Sequence, residues 1–237
     1  CNEAILRTME QLKQQGKVRF TGIASHGGTE EALDAAASTG IYDIAMISYN
    51  FKIQNRDALD AAIARASGSG MGIVAMKTTA GAFRNKSGPG INSDAALKWA
   101  LQNPGISTIV SGMTTTEQVE KNLAMIRNLK MTDGEMADLK TALAYSDTGL
   151  FCQQCGKCLS QCPAGIDIPM IMRGYMYAYG YRNLMQARNT LTAAGMPPEP
   201  CADCNSCSVK CSSGFDVRGK IRDIARLAKV PEDFLVS

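Results

Sequence analysis

The chain has 237 residues, of which 45% are hydrophobic and 20% are charged, and its net charge is +3. This balance is typical of a globular protein with a buried core and excludes a disordered chain. No apolar run approaches the roughly 18 residues that a membrane-spanning helix needs. We therefore predict a protein without a membrane span.

Strand-like and helical segments alternate through the first 128 residues. Four strand-like segments, each followed by a helical pattern, lie at 18–24, 42–50, 72–78 and 107–112. Four βα units in a row predict a parallel sheet with right-handed crossovers. The strands are rich in Ile, Val and Met and alternate poorly, which predicts burial on both faces.

Four βα units leave two architectures open, a part of a doubly wound sheet or half of an eightfold barrel. No G-x-G-x-x-G motif follows the first strand, which weighs against a dinucleotide-binding Rossmann unit. Two helix starts carry a capping-box spacing, Thr114 with Glu117 and Thr132 with Glu135. The second of these begins a helix predicted to end near Tyr145.

The composition changes after "SDTG", so we place a domain boundary near 146–150, between domains at 1–148 and 149–237. The second domain shows helical patterns between its cysteine motifs and again at 218–229, and it shows no strand pattern. We therefore predict a small, all-helical second domain.

Eight of the nine cysteines form two copies of the pattern C-x₂-C-x₂-C-x₃-C, the spacing of bacterial ferredoxins. Three thiolates at every third position suit three corners of an iron–sulfur cube. Structural zinc sites use separated cysteine pairs, and disulfide scaffolds belong to short secreted chains, so both alternatives are less favoured. The pattern predicts two 4Fe–4S clusters with eight ligands, Cys152, Cys155, Cys158, Cys162, Cys201, Cys204, Cys207 and Cys211.

In two-cluster ferredoxins the fourth cysteine of each run serves the other cluster. We therefore expect Cys211 to complete the cluster of the first run and Cys162 to complete that of the second. The connector at 163–200 is long enough for two antiparallel helices that would bring the runs together.

The basic excess lies in residues 149–237, which hold 10 basic and 7 acidic side chains. Thiolate-bound clusters are negative, and we assign the excess to offsetting their charge and not to nucleic-acid binding. Thiols kept for metal indicate either a reducing compartment or delivery of a protein that is already folded around its metal, and we predict a cytoplasmic protein. The chain starts at Cys1 and not at Met, which leaves an N-terminal targeting signal open. Cys1 belongs to neither run, and we interpret it as an ordinary thiol.

The first domain resembles the C-terminal half of the aldo-keto reductase family. The resemblance lies in "KQQGKVRFTGIASH", "YDIAMISYNF", "GIVAMKTTAG" and "ALKWALQNPGISTIVSGMTTTEQVEKNLA". With the cysteine runs that follow, the chain looks like the iron–sulfur branch of that family. The resemblance implies an α/β fold, namely strands five to eight of a (β/α)₈ TIM barrel followed by a ferredoxin-like helical domain.

The resemblance also implies a nicotinamide cofactor, NAD(P)H. In the family, the segment after the eighth strand holds the adenosine phosphate, and a helix N-terminus is an anion site. His26, Asn50 and Lys77 stand at strand ends, where barrels build their active sites. The residues that match the phosphate segment are Gly112, Met113, Thr114, Gln118 and Asn122.

The family's catalytic Asp, Tyr, Lys and His lie on strands one to four, so no catalytic residue is assigned here. We expect the natural protein to be longer by roughly four βα units, or a second chain to supply them. The main hypothesis is an NAD(P)H-linked oxidoreductase that acts on a small carbonyl or alcohol and passes electrons through its clusters to a redox protein. The alternatives are an electron-transfer module on a catalytically silent barrel and clusters with a purely structural role.

Overall fold

The computed structural model describes residues 2–80, 90–144, 150, 152–202 and 204–235. The chain forms two compact units, the first within Cys1–Ala82 and Pro89–Tyr145, and the second with its described residues in the range 146–237. Cys1 lies outside the described residues. So does the predicted boundary at 146–150, except for Leu150. No helix in the described ranges is long and apolar enough to cross a membrane.

The first unit is built on a parallel sheet whose strands are β1 (Gly22–Ser25), β2 (Ile44–Ser48), β3 (Gly72–Met76) and β4 (Thr108–Ile109). The spatial order β1-β2-β3-β4 follows the chain, and β1 pairs with β2 in the register Gly22 to Ile44. A doubly wound sheet reverses direction at its switch point, and no reversal occurs among these strands. The helices are α1 (Glu3–Gln14), α2 (Thr29–Thr39), α3 (Arg56–Gly68), α4 (Ser93–Leu101), α5 (Thr116–Ile126) and α6 (Asp133–Ala144).

The two faces of this sheet differ in burial. Ala45, Ile47, Ile73 and Ala75 are fully buried in a core that they share with α2, α3 and α4. The alternate residues of β2 and β3 are less buried, and Ile44 keeps 38% of its surface exposed. The predicted burial on both faces is therefore wrong for the described residues, because successive crossovers in one direction place their helices on one face.

The helix starts agree in part with the sequence. The Thr132 amide donates to Glu135 Oε2 at 2.8 Å and the Glu135 amide donates to Thr132 Oγ1 at 3.2 Å, so that capping box is confirmed. At α5 the box is formed by Thr115 and Gln118, one position later than predicted. Both boxes satisfy amides that the first helical turn leaves without partners.

The described part of the second unit contains three α-helices, α7 (Ile168–Tyr179), α8 (Leu184–Ala193) and α9 (Val217–Ala225). Helix α7 packs against both α8 and α9. A Cβ on Gly174 would lie 2.8 Å from Leu191 Cδ2, so the glycine permits the close approach of α7 and α8. The connector between the cysteine runs therefore forms two helices, α7 and α8.

The core of the second unit joins these helices to the cysteine runs. Ile171, Met172 and Ile221 are at most 2% exposed and belong to one hydrophobic core. Several of the cysteines pack against this core. The Tyr175 and Tyr179 rings lie 4.4 Å apart on one face of α7. The Met and Tyr side chains of α7 therefore contribute to this core, against which the cysteine runs also pack.

Candidate metal centre

The same local structure follows each cysteine run. Three residues after the fourth cysteine, Gly165 and Gly214 adopt φ of +62° and +73°, a conformation that side chains with a Cβ rarely adopt. Two residues later, Asp167 and Asp216 cap α7 and α9 by accepting from the amide three positions ahead. The repeated spacing is therefore a structural duplication, in which each run leads into a capped helix.

Electrostatic interactions link Cys211 to thiols of the first run and Cys162 to a thiol of the second run. Burial raises the pKa of Cys152 to about 11, and the nearby thiols Cys158, Cys211 and Cys155 raise it further. Burial, Cys155 and Cys211 also raise the pKa of Cys158. We call this set the first thiol group, and its members are Cys152, Cys155, Cys158 and Cys211.

A second set has the complementary composition. Burial raises the pKa of Cys201, and the thiols of Cys204, Cys207 and Cys162 add to the effect. Cys162 belongs to the first run, but its thiol interacts electrostatically with Cys201 in the second run. We call this set the second thiol group, and its members are Cys201, Cys204, Cys207 and Cys162.

Direct hydrogen bonds hold the two runs together. Gln161 Oε1 accepts from the Lys210 amide at 2.7 Å, and the Gln161 carbonyl accepts from Ser208 Oγ at 2.7 Å. Cys155 Sγ and Ser212 Oγ lie 3.3 Å apart. These contacts explain why the fourth cysteine of each run lies beside the other run.

Backbone amides donate hydrogen bonds to two of the thiols. Among the described residues, no three His, Cys, Asp or Glu side chains converge closely enough to hold one metal ion. The Gln154 amide donates to Cys152 Sγ and the Ser213 amide to Cys211 Sγ, both at 3.4 Å, and hydrogen bonds to sulfur are typical of cluster ligands.

The five residues predicted for the cofactor phosphate come together where the chain passes from β4 into α5. Gln118 Oε1 accepts from the Thr114 amide at 2.7 Å, and Asn122 Nδ2 donates to Ser111 Oγ at 3.5 Å. Met113 is 45% exposed, and a Cβ on Gly112 would meet no atom within 4 Å. The segment is open to solvent, and the Gln118 side chain is the hydrogen-bond partner of the Thr114 amide.

The strand-end residues differ in their surroundings. Asn50 is 1% exposed; its Oδ1 accepts from the Lys52 amide at 3.0 Å, and its Nδ2 is buried with no partner among the described residues. Lys77 has a φ of +57°, which is uncommon for a residue with a side chain. Both follow strands at the carboxyl edge of the sheet, as does His26.

Residues 151–216 match the family model described as a 4Fe-4S dicluster domain. A dicluster domain is present. The predicted iron–sulfur character of this segment is thereby confirmed.

Among solved structures, the chain is similar to the apo form of the aldo-keto reductase AKR11C1 from Bacillus halodurans, with 18% identity and a TM-score of 0.45. The similarity covers 57% of this chain and 54% of that enzyme, so the chain spans about half of its length. No curated protein matches the chain.

A pocket of about 360 Å³ lies beside Cys201 in the dicluster domain. Four cationic side chains on α9 and the turn after it line this pocket, and two of them are paired. Arg226 lies 3.5 Å from Asp223, and Lys229 lies 3.8 Å from Glu199. The cationic residues are Arg218, Arg222, Arg226 and Lys229.

Sequence reasoning missed two residues of this centre. Gln161 and Arg218 both contact cysteine-run backbone, but their partners lie up to 49 residues away along the chain. Alignment of the two halves of the duplication does offer a signal for Arg218. The equivalent position in the first half is Pro169, so the arginine is a difference between two otherwise similar segments. No comparable signal marks Gln161, which stands in a run of polar residues.

Proposed function

We propose that this protein is an oxidoreductase in which the dicluster domain carries two 4Fe–4S clusters that relay electrons. The observation that carries the proposal is the match of residues 151–216, which hold all eight cysteines of the two runs, to a 4Fe-4S dicluster domain. When bound, such clusters accept and release electrons one at a time.

The ligands that we propose are the two thiol groups, so the cross-ligation inferred from the sequence remains our proposal. Its support is the proximity of Cys211 to Cys152 and Cys158, and of Cys162 to Cys201. The protein's own task here is to hold each set in place, and it leaves Cys155 and Cys207 exposed. Cys158 is 8% exposed and packs in the core of the domain.

We further propose that the first unit is the C-terminal half of an aldo-keto reductase-type barrel. The unbroken parallel order β1-β2-β3-β4 and the quoted sequence motifs support this proposal. The catalytic groups would then lie on strands outside this half, and the substrate would be a small carbonyl or alcohol.

NAD(P)H is the electron donor that this proposal implies. Its phosphate would lie at the start of α5, where Gly112 leaves open space and residues 112–118 are exposed. Phosphate binding there requires the Gln118 carboxamide to release the Thr114 amide, which it now binds at 2.7 Å.

The composition of the purified protein tests the metal proposal. We expect about eight iron and eight sulfide per chain, from two cubes. One or two zinc ions per chain with no acid-labile sulfide would contradict it.

Anaerobic reduction tests the donor. If NADPH or NADH bleaches the cluster absorption without an added reductase, the enzyme is supported, and bleaching by dithionite alone favours an electron-transfer module. In Gln118→Glu a carboxylate should repel the cofactor phosphate, so half-reduction should require at least several-fold more cofactor. The matched control is Gln186→Glu, which makes the same charge change at an exposed position on α8.

A further inference from the structure

The two terminal nitrogens of Arg218 donate hydrogen bonds, whereas its Nε–H has no acceptor among the described residues. Its Nη1 donates to the Asn205 carbonyl at 3.1 Å, and its Nη2 donates to the Cys204 carbonyl. Its Nε is buried and has no hydrogen-bond partner among the described residues. A buried donor that has lost its water and has no acceptor destabilises the folded protein. We therefore expect an acceptor for this N–H in the complete protein.

The guanidinium lies beside the second thiol group. Arg218 and Cys201 line the same pocket, and Arg218 also binds the Cys204 carbonyl. The acceptor that is otherwise missing from the described residues would therefore be a sulfur of the group that these thiols hold.

The first half of the duplication lacks this feature. Pro169 occupies the place of Arg218, seven residues after the fourth cysteine of its run. Proline has no side-chain donor, and its carbonyl accepts from Gln154 Nε2 at 2.8 Å. Arg173, at the place of Arg222, binds Gln154 Oε1 at 3.3 Å. The two thiol groups therefore differ in the charge and the donor placed beside them.

We propose that Arg218 donates its Nε–H to a sulfur at the second thiol group and thereby makes the cluster held there the more easily reduced of the two. This inference rests on the cluster ligation proposed above. One-electron reduction adds a negative charge, and a permanently protonated guanidinium stabilises that charge. Hydrogen bonds to sulfur and local charge both set cluster potentials.

Redox titration of the holo-protein, followed by EPR, tests the proposal. Arg218→Gln removes the charge and the Nε–H. We expect the equilibrium constant for reduction of the second cluster to fall about tenfold, equivalent to about 59 mV for one electron. The first cluster should keep its potential. Arg173→Gln is the matched control, because it removes an arginine from the first half and should leave the second cluster unchanged.

Arg218→Lys separates the charge from the hydrogen bond, because lysine keeps the charge but has no Nε–H. We expect a smaller fall in the equilibrium constant than in Arg218→Gln. Wild-type protein exchanged into deuterated water should show an exchangeable deuteron coupled to the reduced second cluster by ENDOR. That coupling should weaken or disappear in the lysine variant, because the lysine Nζ–H groups lie at a different place from the arginine Nε–H, whereas a merely structural role would leave it unchanged.

Iron and sulfide analysis of each variant separates the two proposals. Protein that binds no cluster contradicts the proposed function itself. Loaded variants whose second cluster keeps its potential and its deuteron coupling overturn only the role of Arg218. If Arg218→Gln fails to load its second cluster, the lysine variant and the wild-type ENDOR spectrum decide the question.

Discussion

Gln161 and Lys210 join the two cysteine runs, because the Gln161 side-chain oxygen accepts a hydrogen bond from the Lys210 amide at 2.7 Å. The same side chain donates its Nε2 to the Lys157 carbonyl at 2.8 Å, within its own run. One glutamine thus fixes the backbone on both sides of the proposed exchange of Cys162.

Replacing this glutamine should loosen the dicluster domain. Gln161→Ala removes the exposed hydrogen bonds to the Lys210 amide and the Lys157 carbonyl, and we expect a loss of roughly 0.5–1.5 kcal/mol in unfolding free energy. Denaturant unfolding followed by cluster absorption measures the loss. Gln186→Ala, an exposed glutamine on α8, is the control and should change stability by less than about 0.5 kcal/mol. Equal stabilities of the two variants would contradict the role of Gln161.

The proposed exchange of the fourth cysteines predicts a crossed pattern of cluster loss. Cys162→Ser should alter or remove the cluster of the second thiol group, although Cys162 belongs to the first run. Cys211→Ser should affect the first thiol group in the same way. EPR after reduction, with iron analysis, distinguishes the two clusters. If each substitution affects only the cluster of its own run, the ligation is local and the exchange is wrong.

Features that depend on a few neighbouring residues were predictable from the sequence. The capping box of Thr132 and Glu135 needs only residues three positions apart, and the structure has it. At α5 the sequence offers two such pairs, Thr114 with Glu117 and Thr115 with Gln118. The structure uses the second pair, and the choice depends on where the helix starts after β4, which a local pattern does not contain.

Features that depend on tertiary neighbours were not predictable. The half-exposed face of β2 and β3 looks apolar in the sequence, and burial of one face or both depends on which elements cover the sheet. Arg218 looks like an ordinary surface cation of an amphipathic helix. Its role depends on carbonyls of the second cysteine run that come within reach only in the folded domain.

Two glycines in helices should respond to alanine with opposite signs. Gly174 lies between α7 and α8, where a Cβ would come within 2.8 Å of Leu191 Cδ2, and Leu191 is only 4% exposed. Overpacking of about 1–3 kcal/mol should outweigh the roughly 0.5–1 kcal/mol that alanine gains over glycine in a helix. Gly174→Ala should therefore destabilise the dicluster domain, as measured by thermal loss of cluster absorption.

Gly68 is the matched control, because it is an exposed helical glycine with no atom within 4 Å of its would-be Cβ. Gly68→Ala should stabilise the first unit by up to about 1 kcal/mol. Trp99 is the only tryptophan and lies in that unit, so its emission reports the change. Stabilisation by both substitutions would mean that α7 and α8 separate without cost.

The pH dependence of the first unit should depend on a largely buried ion pair between α4 and α6. Lys98 Nζ lies 2.8 Å from Glu135 Oε1, and the two side chains are 11% and 15% exposed. The hydrogen bond from Lys98, and then that from the Thr132 amide, lowers the pKa of Glu135 below its usual value. When folding lowers the pKa of a carboxyl, that carboxyl stabilises the fold at pH values above its pKa in the unfolded chain, which is about 4.3 for Glu. That stabilisation is lost as the pH falls through the lowered pKa.

Glu135→Gln should therefore be less stable than the natural protein at pH 7, and the difference should shrink as the pH falls below about 4. The stabilities of the two proteins converge because protonation of Glu135 in the natural protein also leaves the Lys98 ammonium without a carboxylate. Denaturant unfolding followed by Trp99 emission at a series of pH values measures the difference. Asp34→Asn is the control, because its pair with Arg65 is exposed and such pairs contribute little. A difference between Glu135→Gln and the natural protein that stays constant from pH 7 to pH 3 would show that the Glu135 charge does not stabilise the fold.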